Sequence, residues 1–160
     1  MPTEKTCCFT GHRELGGGFS KDRLYRCIGA VLKDGVDTFI CGGALGFDTE
    51  AALAVLKAKQ KFPGIKLWIF VPCKNQSEKW SEAQKKQYGK ILESADYVDM
   101  PEYNYFDGCM KNRNYKMVDA SSRCIAYFNG KYASGTGQTV RYASSKGLKL
   151  YNVWVGDDNE

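Results

Sequence analysis

The sequence predicts an α/β fold, a Rossmann-like three-layer α/β/α sandwich with a mainly parallel sheet, built as a single domain over residues 1–160. Three observations predict it. Short apolar runs alternate with longer segments whose apolar residues recur at helical spacing. Successive runs are separated by one helical segment each, which implies right-handed crossovers and parallel strands. The run from Lys66 to Val71 is almost wholly apolar, as a strand covered on both faces must be.

Each element has its own reason. Lys5 to Thr10 is apolar and stops at Gly11, giving the first strand. From Ser20 to Lys33, Leu24, Ile28, Val31 and Leu32 share one helical face, with Ser20 as N-cap and Gly35 ending the helix. Thr38 to Cys41 is the second strand. Thr49 to Lys61 is the second helix, with Ala52, Leu53, Leu56 and Phe62 on one face and Pro63-Gly64 as its stop. Lys66 to Val71 is the third strand and Ser77 to Ser94 the third helix. Asp96 to Met100 is the fourth strand, closed by Pro101, and Gly108 to Ser122 the fourth helix. Arg123 to Phe128 is the fifth strand, Thr136 to Lys146 the fifth helix, and Leu148 to Val155 the sixth strand. The tail from Gly156 to Glu160 is polar and expected to be loose.

Composition narrows the function classes. The chain is 43% hydrophobic and 26% charged, ordinary for a globular domain. No apolar run approaches the ~20 residues of a membrane-spanning helix. The start, Met1 to Lys5, reaches polar Thr10–Arg13 too early for a signal peptide. A cytoplasmic protein without membrane contact is expected. The seven cysteines form no C-x-x-C pair and His12 is the one histidine, so neither a metal nor a cofactor is expected. Small buried hydrophobes are the favoured reading of the cysteines, with Cys41 and Cys73 at strand ends where a site could lie. A net charge of +5 favours an anionic ligand. The lysines are scattered (Lys57, Lys59, Lys61, Lys85, Lys86, Lys90) and read as solvated helix faces more than as a nucleic-acid footprint.

In such a fold, ligands sit beyond the carboxyl ends of the strands, so the loops there carry the functional reading. Gly42-Gly43-Ala44-Leu45-Gly46-Phe47-Asp48 joins the second strand to the second helix. Such a turn offers bare backbone N–H groups at a positive helix end, where a phosphate can lie. Thr10-Gly11-His12-Arg13 leaves the first strand, Pro72 and Gln76 follow the third, and Ser134-Gly135-Thr136 precedes the fifth helix. Glycine turns, a hydroxyl-rich turn and an arginine can together hold a phosphorylated ligand.

Several residues have a second reading. Asp48 serves equally as a site contact or as the cap of helix two, and Glu50 better suits the helix's positive first turn. His12 is balanced between ligand contact and fixing its turn. Arg13 is favoured as an anion ligand over a surface ion pair. Trp80 is a core anchor or a frame for a base. Tyr103, Tyr105 and Phe106 either cover a ligand or meet another subunit.

In order and spacing, Thr10-Gly11-His12-Arg13, Gly42 to Asp48 and Ser134-Gly135-Thr136 resemble the SLOG superfamily. Pro72, Gln76 and Trp80, with the stretch from Arg113 to Ser121, resemble its YpsA/YoqJ-like branch of bacteria and prophages. That superfamily also holds the LOG phosphoribohydrolases and the DNA-processing protein DprA. The resemblance implies a Rossmann-like domain binding a nucleotide or nucleotide-derived ligand, for sensing or sequestration. It equally admits hydrolysis of the N-glycosidic bond of nucleoside 5'-monophosphates, with Arg113, Glu50 and Asp48 as catalytic candidates, and, third, DprA-like binding of single-stranded DNA. It implies a homodimer or higher homo-oligomer. Arg113-Asn114-Tyr115-Lys116-Met117 resembles the R-K-x-x-M stretch of the LOG enzymes. Gln138 and Thr139, however, fall where those enzymes carry acidic residues after P-G-G-x-G-T. Glycosidic cleavage runs through an oxocarbenium-like state that a carboxylate supports, so this departure favours binding over hydrolysis.

Overall fold

The computed structural model describes residues 3–155. The tail expected to be loose, residues 156–160, lies outside the described residues. A short 3-10 turn at Thr3–Lys5 leads into β1 (Thr6–Gly11), α1 (Lys21–Lys33), β2 (Thr38–Cys41), α2 (Phe47–Lys61) and β3 (Lys66–Phe70). Then follow α3 (Glu82–Ser94), β4 (Tyr97–Asp99), α4 (Cys109–Asp119), β5 (Arg123–Tyr127), α5 (Gly135–Ser145) and β6 (Lys149–Asn152). All five strand pairings are parallel, in the order β4-β3-β2-β1-β5-β6.

That order fixes where a ligand can go. The chain builds outward from β1 to β4, returns through α4 to β5 on the other side of β1, and continues to β6. Right-handed crossovers therefore put α1, α2 and α3 on one face and α4 and α5 on the other. The strands alternate between the two layers. Cys7 and Phe9 pack with Leu24, Ile28 and Val31 of α1 and Val55 of α2. Cys8, Ile40, Cys124 and Ala126 pack with Met117 and Val118 of α4 and with Val140 and Ala143 of α5. Each fully buried large side chain among these contributes ~1.5–3 kcal/mol. Strands burying both faces are what the apolar runs announced. Chain direction switches between β1 and β5, so their carboxyl ends part and leave a crevice.

Most boundaries differ from the sequence expectation by a residue or more, among them the end of α4, at Asp119 rather than Ser122, and three have a clear local cause. Helix α3 starts at Glu82 rather than Ser77, because Ser81 and Gln84 form a reciprocal capping box. Helix α2 starts at Phe47, two residues early, with Gly46 as its N-cap. Strand β6 ends at Asn152, whose side chain turns back to bond Phe128.

All seven cysteines are free thiols. Burial pushes the Cys7 and Cys41 thiols well above their usual range. Burial also raises Cys73. The thiol form that results suits apolar packing and not nucleophilic attack. Among the described residues no helix is long and apolar enough to cross a membrane, and no cluster of His, Cys, Asp and Glu could hold a metal ion.

Candidate functional site

The crevice between β1 and β5 opens into a cleft of about 260 Å³. The exit of β1 brings Thr10, Gly11, His12 and Arg13 to it, and the start of α5 brings Ser134, Gly135 and Thr136. Ala44 and Asp48 reach it from the β2–α2 turn, and Arg113 from α4. Four segments far apart in sequence thus meet in one space. Phe9, Met110 and Asn114 also line it, beyond the residues the sequence reading selected. Met110 was legible in principle: it lies three residues before Arg113, on the same face of α4. Asn114 had only its adjacency to Arg113 as a signal.

The glycine turn at residues 42–46 is tied into the protein at several of its backbone groups. Arg113 is 7% exposed, and its Nη1 donates to the carbonyls of Gly42 and, at 3.1 Å, of Phe70. Its Nε donates to Asn114 Oδ1 at 2.8 Å. One side chain from α4 therefore bolts the ends of β2 and β3 together. Asp48, also 7% exposed, accepts from the Ala44 N–H at 3.2 Å through Oδ2. A Cβ on Gly42 would lie 2.5 Å from Arg113 Nη1 and 2.8 Å from Asp48 Oδ2, so only glycine fits between them. Gly46 has φ +79° and packs on the backbone of Arg13, whose carbonyl oxygen a Cβ would approach to 2.0 Å. Asp48 therefore does not cap α2, as one reading had it; Gly46 holds the cap position, and Asp48 sits inside the first turn holding the loop. Burial raises the Asp48 carboxyl, with Arg113 and the Ala44 N–H pulling it back. Burial lowers the Arg113 guanidinium, with Asp48 opposing.

The start of α5 contrasts with this. Ser134 is a side-chain N-cap: its Oγ accepts from the Gly137 N–H at 3.0 Å and donates to the Lys131 carbonyl at 2.8 Å. The Gln138 N–H is taken by the Ser134 carbonyl. The N–H groups of Gly135 and Thr136 have no hydrogen-bond partner among the described residues. The first turn of α5 carries no acidic residue. The helix dipole and two open donors therefore face the cleft together.

Arg13 stands across from that turn. Its Nη2 approaches Met110 Sδ at 3.7 Å, and among the described residues no carboxylate lies within salt-bridge distance of it. His12 is held in place. Its Nε2 accepts from the Asn129 N–H at 3.2 Å, its carbonyl accepts from the Phe47 N–H, and Tyr127, Phe128 and Trp154 pack around its ring. Burial lowers its pKa, and the charge of Lys131 adds to that. An accepting Nε2 and a lowered pKa make His12 a neutral ring.

Other selected residues lie outside the cleft. Glu50 pairs with Lys21 at 3.8 Å. Gly43 lies at a small cavity beside Trp80 and Tyr88. Pro72 is buried just beyond β3. Gln76 donates through Nε2 to the Gly43 carbonyl and to Tyr88 Oη. Gln138 is exposed on α5, and Thr139 is buried with its hydroxyl on the Gly135 carbonyl. Asp48 is thus the one carboxylate among the described residues that lines the cleft.

Fold and cleft define a Rossmann-like α/β domain with its candidate site at the sheet's switch point. The chain belongs to the YpsA family: the profile described as the YspA SLOG family matches residues 8–155. It is 36% identical over 120 residues to the UPF0398 protein BH1768 of Halalkalibacterium halodurans, covering 74% of this chain and 64% of that one. It is 34% identical over 147 residues to the SPbeta prophage-derived protein YoqJ of Bacillus subtilis, covering 84% and 85%. Among solved structures it resembles DNA processing protein A of Helicobacter pylori, described for its single-stranded DNA binding mode. The TM-score is 0.66 at 20% identity, over 94% of this chain and 65% of that one. At that identity the likeness is one of fold. The chain spans somewhat under two thirds of BH1768 and of the DNA processing protein.

Proposed function

We propose that the cleft binds the phosphate of a nucleotide or nucleotide-derived ligand, holding it for sensing or sequestration. The observation that carries this is that Arg13, with no carboxylate in salt-bridge distance among the described residues, lines the same cleft as the two open N–H donors of Gly135 and Thr136. A phosphate placed there takes charge-assisted hydrogen bonds from both sides and completes a helix N-terminus. The ligand-binding set is Thr10, Gly11, His12, Arg13, Ala44, Ser134, Gly135 and Thr136, supported from beneath by Gly42, Asp48 and Arg113.

Calorimetry with mono-, di- and cyclic nucleotides and ADP-ribose tests this. Saturable heat is expected with at least one of them. Gly135→Pro sharpens the test, because it removes one donor and leaves the fold alone. Proline suits the first helical position, Ser134 before it is extended at ψ 164°, and a Cβ at Gly135 meets nothing within 4 Å. The variant is expected to fold normally and to bind about tenfold less tightly, the worth of one charge-assisted hydrogen bond. No heat with any nucleotide overturns the proposal.

A second reading, hydrolysis of nucleoside 5'-monophosphates, draws on Asp48, a carboxyl in the cleft with a raised pKa. Against it, Asp48 is committed to the Ala44 N–H and neighbours Arg113. Chromatography is expected to show no free base from AMP at high protein concentration. Binding of single-stranded DNA is a third reading, drawn from the DNA processing protein. Salt-dependent gel retardation tests it.

A further inference from the structure

A groove of about 730 Å³ lies beside the cleft. Arg13 and Met110 line both, so the contact between Arg13 Nη2 and Met110 Sδ belongs to the boundary of the two spaces. We propose that the groove is the second compartment of one site, in which a planar heterocycle stacks on Trp80 and Tyr105 while its phosphate lies in the cleft. This rests on the phosphate reading above and adds where the rest of the ligand goes.

Size makes the first argument. The cleft, at 260 Å³, falls below the ~300–1,000 Å³ of small-molecule sites. It accommodates a phosphate and part of what carries it. The remainder needs a neighbouring space, and the groove shares two walls with the cleft.

The chemistry of the groove makes the second. Tyr105 is 58% exposed and makes no ring contact among the described residues. Its position is nevertheless fixed. The Tyr105 N–H donates to Asn75 Oδ1 at 2.8 Å, and Asn75 Nδ2 donates to Glu78 Oε2 at 3.0 Å. The loop after β4 is also fastened to the loop after β3 by the Lys74 N–H on the Tyr103 carbonyl at 2.9 Å. The ties hold the backbone that carries the ring, so Tyr105 is presented at the groove. Trp80 is held by an edge contact with Tyr88 at 5.0 Å and 68°. Trp80 and Tyr105 both line the groove, together with apolar Leu45 and Met110.

Gln76 makes the third. It lines the same groove, and its Oε1 is the one buried side-chain oxygen or nitrogen without a hydrogen-bond partner among the described residues. A buried acceptor of this kind is costly until satisfied. A donor on a base edge, such as an exocyclic amino group, would satisfy it.

Titration of ribose 5-phosphate and of AMP into the protein and two variants tests the proposal. AMP is expected to bind ~5- to 150-fold tighter than ribose 5-phosphate, the worth of one base stacked on an aromatic side chain. Tyr105→Ala and Trp80→Leu are each expected to remove part of that gain and to leave ribose 5-phosphate unchanged. Tyr105 is exposed, so its variant keeps the test valid if Trp80→Leu folds poorly. Equal affinities for the two ligands, or a gain that survives both variants, overturns the inference and leaves the phosphate reading standing. Absence of binding by both ligands overturns this inference, and the phosphate reading falls with it only if the wider nucleotide panel gives no heat either.

Discussion

Two turns border the cleft, and they use their glycines in opposite ways. In the turn after β2, Gly42 and Gly46 let Arg113, Asp48 and the Arg13 backbone come close, and a Cβ at either position would collide. Arg113 takes the Gly42 carbonyl, Gln76 the Gly43 carbonyl and Asp48 the Ala44 N–H. In the turn before α5, a Cβ on Gly135 would meet nothing, and two N–H groups stay open. The first turn is a joint and the second, on the proposed function, a docking end. Glycine content alone does not tell a phosphate cradle from a packing corner; what a Cβ would meet at each glycine separates these two turns.

The contrast breaks most visibly at its joint. Arg113→Met removes the donor to two buried carbonyls and the cation beside buried Asp48. A loss of about 3–5 kcal/mol is expected in urea unfolding, the size seen when one partner of a buried charge pair is deleted. A change below about 1 kcal/mol would mean the bolt is dispensable. Gly46→Ala comes next. It puts a Cβ at positive φ against a backbone carbonyl, with an expected loss of about 1–3 kcal/mol from the strained conformation. Gly135→Ala, its counterpart at the docking end, is expected to change stability by less than about 0.5 kcal/mol in the same assay.

Binding separates the turns in the reverse sense. Arg13→Gln is expected to leave the unfolding midpoint within about 0.5 kcal/mol and to weaken phosphate-ligand binding about tenfold or more by calorimetry. If both quantities moved together, Arg13 would belong to the joint instead.

The smallest effect is expected at His12. Burial holds its pKa below the ordinary value of 6.5. A group whose folded value is lowered in this way binds protons more readily when unfolded. The stability tied to its neutral ring is therefore fully present above about pH 6.5 and is lost as the pH falls through that value toward the folded one. His12→Gln, which keeps an acceptor for the Asn129 N–H, is expected to flatten this part of the stability curve. Urea midpoints at pH 7.5 and 5.5 for both proteins read it, and equal slopes would remove His12 as the source.

Much of the fold was legible in the chain. Strand and helix alternation fixed the parallel sheet, because a one-helix crossover admits little else. Boundaries failed where two local signals competed: Ser77 and Ser81 both look like caps, and only Ser81 has a Gln84 in reach to close the box. The loops that meet at the cleft were also legible, since strand ends in such a sheet point one way. Gly42, Gly43 and Gly46 were chosen for the same reason as Gly135, but they lie outside the cleft that Gly135 lines.

By itself, then, the sequence determined the elements, their parallel order of assembly and the edge of the sheet where a ligand could lie, because these follow from periodicity and chain connectivity. Only the tertiary structure decided what each polar group there is free to do. Whether Arg113 faces a ligand or two carbonyls, whether Asp48 caps a helix or holds a loop, and whether the donors of a turn are open or spent depend on partners as far as 71 residues away along the chain. Hydrogen bonds and burial are settled by what packs against a residue, and no local pattern carries that.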